Sequence, residues 1–302
     1  MRIFPPVFPL PEEALQSLID KFSHAWKDFG LTISLKKTNV MCQGVEVTPS
    51  IVIDSHLLEV VDSFTYLGAT ISNDLSVNTE LNKRIGKATT VMARLKRRVW
   101  ENKKLTLNTK IRVYQACVLS TLLYSIETCS LYASQERRLN SFHLRCLRRI
   151  MGIKWEDRIS NSDVLNRAKL SSIHGLLSQR RLRWLGHVYR MDDGRLPKDI
   201  LYGELATGTR SVGRPKLRYK DVCKRDMKST DIKHDSWEAL AADRTGWKTA
   251  VEDGICTSEE KRHEAWNTKR DLKLANNVQP VLHPAPHLNM FAPDAVETVT
   301  HV

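Results

Sequence analysis

No stretch of this sequence reaches the roughly 20 apolar residues that a membrane span requires, so the chain is expected to have no membrane partner. Cysteines are few and scattered, at positions 42, 117, 129, 146, 223 and 256. That excludes the disulfide framework of a small secreted domain and reads as small core residues. The first ten residues carry one basic and several apolar side chains, as a signal peptide does. Pro5, Pro6 and Pro9 interrupt the run and no small-residue cleavage site follows, so an intracellular chain, cytoplasmic or nuclear, is expected. Acidic charge is in deficit: 34 Asp and Glu stand against 47 Lys and Arg, a net charge of +13 that favours polyanionic partners. No internal repeat and no complete catalytic constellation is found.

What is there is an ordinary folding composition, 41% hydrophobic over 302 residues, enough for one large domain or two smaller ones. Leu15, Leu18, Ile19, Phe22 and Trp26 recur at helical spacing between Pro11, suited to a first turn, and Gly30, suited to a stop. Short β-branched runs follow: Leu31 to Ser34, Asn39 to Cys42, Ile51 to Ile53 and Phe64 to Leu67, separated by Gly44, Pro49 and Gly68. This predicts a small sheet.

Beyond it the pattern is helical. Leu81, Ile85, Ala88, Met92, Leu95 and Val99 make one stripe, with Lys83, Arg84, Lys87, Arg94, Arg97 and Arg98 off it. Similar spacing returns in Leu107 to Thr121, in Leu139, Phe142, Cys146 and Ile150, and in Leu182, Leu185 and Val188. Ser134 and Asp235 are expected helix caps, the latter with Glu238 three residues on. Ala206 to Pro215 reads as an exposed basic loop, and residues beyond Asn277 as a disordered tail. The fold class is therefore α+β, predominantly α-helical: a small N-terminal sheet with one helix, then a helical bundle and further helices.

The string Phe29-Gly-Leu-Thr-Ile-Ser-Leu-Lys-Lys-Thr-Asn-Val-Met41, followed by Phe64-Thr-Tyr-Leu-Gly-Ala-Thr-Ile-Ser72, resembles reverse transcriptases of non-LTR retrotransposons, the endonuclease plus reverse transcriptase type. The resemblance continues through Tyr114 to Tyr124, Leu147 to Ile153, Arg181 to Val188 and Gly213 to Asp221, covering roughly Glu12 to Asp253. It implies a palm remnant with primer-grip-like strands over residues 1–75, a thumb-like bundle over 76–205, a helical region over 206–276 and the tail over 277–302. Family members are RNA-directed DNA polymerases that use two metal ions, Mg2+ in the full-length enzyme, held by palm carboxylates. The chain starts just after the Asp-Asp hairpin of that palm, so no catalytic residue, cofactor or metal site is expected here. The sequence departs from the family pattern at Ser125, usually Gly, and Cys129, usually Trp, and no Cys/His finger follows Cys256.

By the resemblance, Lys37 falls where a palm lysine protonates pyrophosphate, and Phe64, Tyr66 and Gly68 where a primer backbone is held. Tyr189-Arg-Met-Asp-Asp193 imitates a catalytic motif, but its carboxylates follow a helix and run into Gly194, which fits a helix stop. Cys129, His143 and Cys146 lack the close spacing of zinc ligand pairs. The basic residues of the bundle, Lys83, Arg84, Lys87, Arg94, Arg97 and Arg98, then Arg145, Arg148 and Arg149, then Arg180, Arg181 and Arg183, are the candidate contacts to phosphates of RNA, DNA or an RNA–DNA hybrid. Arg214, in Gly213-Arg-Pro215, resembles a minor-groove hook. The competing readings are a protein-interaction module, an unselected relic, and a polymerase completed in trans by a separate upstream palm.

Overall fold

The computed structural model describes residues 11–43, 47–203, 213 and 217–278. Gly44, the interior of the 206–215 loop with Arg214, Pro215 and Lys216, the opening prolines and the tail from 279 onward lie outside the described residues. The fold is predominantly helical α+β. Helix α1 spans Glu12–Asp28; Pro11 precedes it with φ −54°, and Glu12 and Glu13 sit at its positive end. Gly30 turns the chain out of it at φ +66°. Leu15 and Ile19 pack on Val40, Ile51, Ile53 and Leu58, forming a small core of their own.

Among the described residues the strands form three separate two-stranded ladders. Strands β1 (Asn39–Val40) and β4 (Glu59–Val60) run parallel. Strands β2 (Val52–Ile53) and β3 (His56–Leu57) form a hairpin whose two central residues, Asp54 and Ser55, both have positive φ, as the strand twist demands of so tight a turn. The third ladder, β5 (Ser63–Tyr66) with β6 (Ala69–Ser72), turns through Leu67 and Gly68 in the same way. The Gln16 side chain donates to the Val52 carbonyl at 2.8 Å and accepts from its N–H at 2.9 Å, standing in for a missing strand at the edge of β2. Leu31 to Ser34, expected as a strand, is not one: it pairs with no neighbour and runs into the tight turn Leu35–Lys37.

Helix α2 (Asn78–Arg94) buries Leu81, Ala88 and Met92. It ends five residues before Val99, where the expected stripe finishes, because the chain widens: Trp100 N–H donates to Leu95 and Glu101 N–H to Lys96, each five residues back. That turn swings the Trp100 ring inward, where its indole N–H reaches the Met92 carbonyl at 2.9 Å. Helix α3 (Leu107–Val113), capped by Thr106, runs through a second wide turn at Tyr114–Leu119 into α4 (Ser120–Leu122). Ser125 follows with φ +60°, which explains why a glycine suits this position in the resembled family.

Helix α5 spans Ala133–Met151. Its cap position is Tyr132, not Ser134; the Gln135 side chain accepts from the Tyr132 N–H at 3.0 Å. Helices α6 (Asn161–Ala168) and α7 (Ile173–Tyr189) take proper hydroxyl caps from Ser160 and Ser172. Then come α8 (Leu196–Tyr202), α9 (Tyr219–Ser229), α10 (Trp237–Ala242) and α11 (Arg244–Val278). Asp235 does not cap α10; Ser236 occupies the position and makes no side-chain cap bond. From Lys261 the chain forms a second compact unit, described as far as Val278, in which His263 and Asn267 are hydrogen-bonded at 3.1 Å.

Helix α7 serves two cores. Ile173 and Leu177 join the large core of α2 to α6, while Leu182 and Leu185 join a second one with Met227, Trp237, Trp247 and Val251. Trp247 lies so close on α7 that a Cβ at Gly186 would stand 2.3 Å from its indole nitrogen, which donates to the Leu182 carbonyl at 2.9 Å. Gly186→Ala is therefore expected to lower stability by about 2 kcal/mol through overpacking, read as a lower urea midpoint at unchanged slope.

Candidate nucleic-acid interface

On α2 the positions four and seven apart, Lys83, Lys87 and Arg94, share the side opposite Leu81 and Ala88. Arg97 and Arg98 extend the charge into the wide turn that follows. All five are exposed, and none is in an ion pair with another of the described residues. From Lys83 to Arg94 the helix rises about 17 Å, which matches about five base steps of a duplex.

Arg84 belongs to the opposite side. It is buried, bonded to Glu80 and to the Gly68 carbonyl at 2.7 Å, with its guanidinium 4.8 Å from the centre of the Tyr124 ring. Glu80 also accepts from the Thr70 N–H at 2.7 Å, so this pair pins the β5–β6 hairpin to α2. The helical phase contains the correction: Arg84 stands three residues after Leu81 and four before Ala88, on the apolar stripe.

Arg181 is likewise no surface cation. It is 1% exposed, four residues after Leu177 and four before Leu185. Its Nε and Nη2 donate to the Asp226 carboxylate and Nη2 also reaches Glu136 at 3.3 Å. Glu136 in turn accepts from Arg225 at 2.9 Å and pairs with His174 at 3.1 Å. Burial alone would raise the Glu136 pKa, but the His174 hydrogen bond and the Arg181 and Arg225 charges outweigh it and hold the carboxyl below its ordinary value. This cluster lies where the two cores meet on α7, and no short-range sequence signal pointed to Glu136 or Asp226.

The remaining candidates divide. Arg183 is exposed but compensated by Glu252, and Arg180 donates to the Leu123 carbonyl at 2.9 Å. Lys37 is exposed on the turn ahead of β1, and Tyr66 is half-buried on β5. On α5, Arg145, Arg148 and Arg149 share one face and line an open cleft of about 500 Å³ with Leu144, Ile153 and Asn161. Arg148 crosses it, donating to the Ile159 carbonyl and to Asn161 Oδ1, both at 2.9 Å.

The described residues offer no donor set for the Mg2+ of the resembled enzymes: no three His, Cys, Asp or Glu side chains among them are grouped to hold an ion. Asp193 lies past the end of α7, before Gly194 at φ +79°, its side chain 94% exposed and paired with Lys198 at 2.6 Å. His143 is buried against Tyr114, whose hydroxyl meets its Nδ1 at 2.7 Å, and burial pushes the Cys146 thiol up to about 12. Among the described residues no helix is long and apolar enough to cross a membrane.

Over 257 residues the chain is 25% identical to a protein of Caenorhabditis elegans named as uncharacterized and transposon-derived, a match covering 78% of this chain and 87% of the other. No protein-family profile and no solved structure matches it.

Proposed function

We propose that this chain is a transposon-derived protein, equivalent to the thumb and following region of a non-LTR type reverse transcriptase, and that it holds nucleic acid by its phosphate backbone without reading sequence. The transposon origin is supported by the worm relative, whose similarity runs over most of both chains. The reverse transcriptase kinship is supported by the ordered motifs from Phe29 to Asp221. The observation that carries the binding role is the surface of α2 and of the wide turn after it, where five exposed cations have no ion-pair partner among the described residues. Such a surface gains free energy by releasing counterions from a polyanion, and point contacts to phosphate carry no base information. Binding is the activity assigned because exposed cations on one helix surface are what phosphate contact requires.

Filter binding of the full chain to a duplex across a salt series tests this. Lys83→Gln, Lys87→Gln and Arg94→Gln together are expected to reduce the slope of log affinity against log salt by about 2 to 3. An unchanged slope, or no affinity for RNA, DNA or hybrid at low salt, would overturn the reading.

A further inference from the structure

We infer that the α5 cleft binds an unpaired nucleotide, its phosphate on Arg145 and Arg149 and its base stacked on Trp155. This rests on the nucleic-acid reading above and adds a second, chemically different contact. Trp155 is 85% exposed, unusual for a side chain that is mostly buried in folded proteins. Its exposure is built in rather than a consequence of slack chain. The turn Trp155–Asp157 is closed by the Lys154 N–H on Asp157 at 2.7 Å and by the Arg158 N–H on the Trp155 carbonyl at 3.2 Å. Both ends of the surrounding segment return to Arg148: Ile153 N–H donates to its carbonyl at 2.9 Å, and its guanidinium holds the Ile159 carbonyl. The indole, itself outside the cleft lining, is therefore carried on a loop fixed at both ends to Arg148 and lies two residues beyond Ile153; Arg148 and Ile153 both line the cleft.

The cleft has the matching chemistry. Its lining holds three arginines and no carboxylate. Nearby Asp157 and Asp163 accept bonds from the Lys154 N–H and the Ser160 hydroxyl. Arg145 and Arg149 are one helical turn apart, exposed and in no ion pair among the described residues. Cations that follow a backbone beside an aromatic face are the arrangement that holds single strands, because every base offers a face to stack and only an unpaired one can use it.

The test is fluorescence anisotropy of the full chain with a labelled oligothymidylate dodecamer and with a duplex of equal length. Trp155→Ala is expected to weaken the single strand roughly tenfold and to leave the duplex affinity and the salt slope as they were. Trp155→Phe is expected to restore most of the single-strand affinity, and Arg145→Gln with Arg149→Gln to flatten its salt slope by about 1. Equal weakening of both ligands by Trp155→Ala, or no weakening of either, would overturn the inference while leaving the α2 reading intact. Failure of the unsubstituted chain to bind any nucleic acid would overturn both. Since Trp155 is exposed, an unchanged thermal midpoint in the variants confirms that folding is not what is being measured.

Discussion

Arg181→Ala is expected to destabilise the chain by about 3–5 kcal/mol, a large fraction of the stability of an ordinary domain. The side chain is 1% exposed and is the main counter-charge of Asp226, itself buried, and a partner of Glu136. Removing it leaves the buried Asp226 carboxylate without its cation and Glu136 with only Arg225 and His174, a larger penalty than the loss of the pair's own attraction. Urea unfolding is the measurement. The double change Arg181→Met with Asp226→Leu is expected to recover much of the loss, because it removes both charges and fills the space. If Arg181→Ala instead unfolds at the original urea midpoint and merely weakens nucleic-acid binding, the buried-hub account is wrong. The same cluster makes the fold acid-labile. Glu136 is held below its ordinary value of 4.5, so its contribution is complete above that pH and is lost as pH falls through the folded value.

His143 is expected to set the pH dependence at milder acidity. Burial pulls its pKa from 6.5 down to about 4. The sign follows from which state binds the proton: below pH 6.5 the unfolded chain is protonated at this position and the folded chain is not, so stability falls with falling pH. The loss grows until about pH 4, where the folded form is protonated as well and this group's contribution levels off. A difference of about 2.5 between the two values corresponds to roughly 3 kcal/mol. His143→Gln keeps an acceptor for the Tyr114 hydroxyl and is expected to flatten the stability profile between pH 6.5 and 4.5, at some cost at neutral pH. Equal slopes in that window for both proteins would show that His143 is solvated or charged when folded.

Much of this architecture was legible in local pattern. Pro11 and Gly30 bracket α1 because each needs only its own backbone preference. The α2 stripe and the stop after α7 follow from periodicity and from glycine. What failed depended on distant partners. Leu31 to Ser34 has strand composition but no neighbouring strand. Tyr132 displaces Ser134 as a cap because Gln135, three residues on, supplies the bond. Charge alone groups the basic residues of α2 and α7, but helical phase separates Arg84 and Arg181 from the rest; a charged residue in line with leucines is a sign of a buried ion pair. Trp155 gave no sequence signal, since an aromatic residue in a short turn reads as core until its exposure is known.

The sharing of α7 between two cores decides how the molecule would come apart. A chain severed between α8 and α9 would leave the downstream piece seated on Leu182, Leu185 and the buried Arg181 of the upstream piece. Neither piece has its own lid, so the two would travel as one particle through any separation that keeps the fold. Continuity of the peptide is dispensable there; continuity of the helix is not.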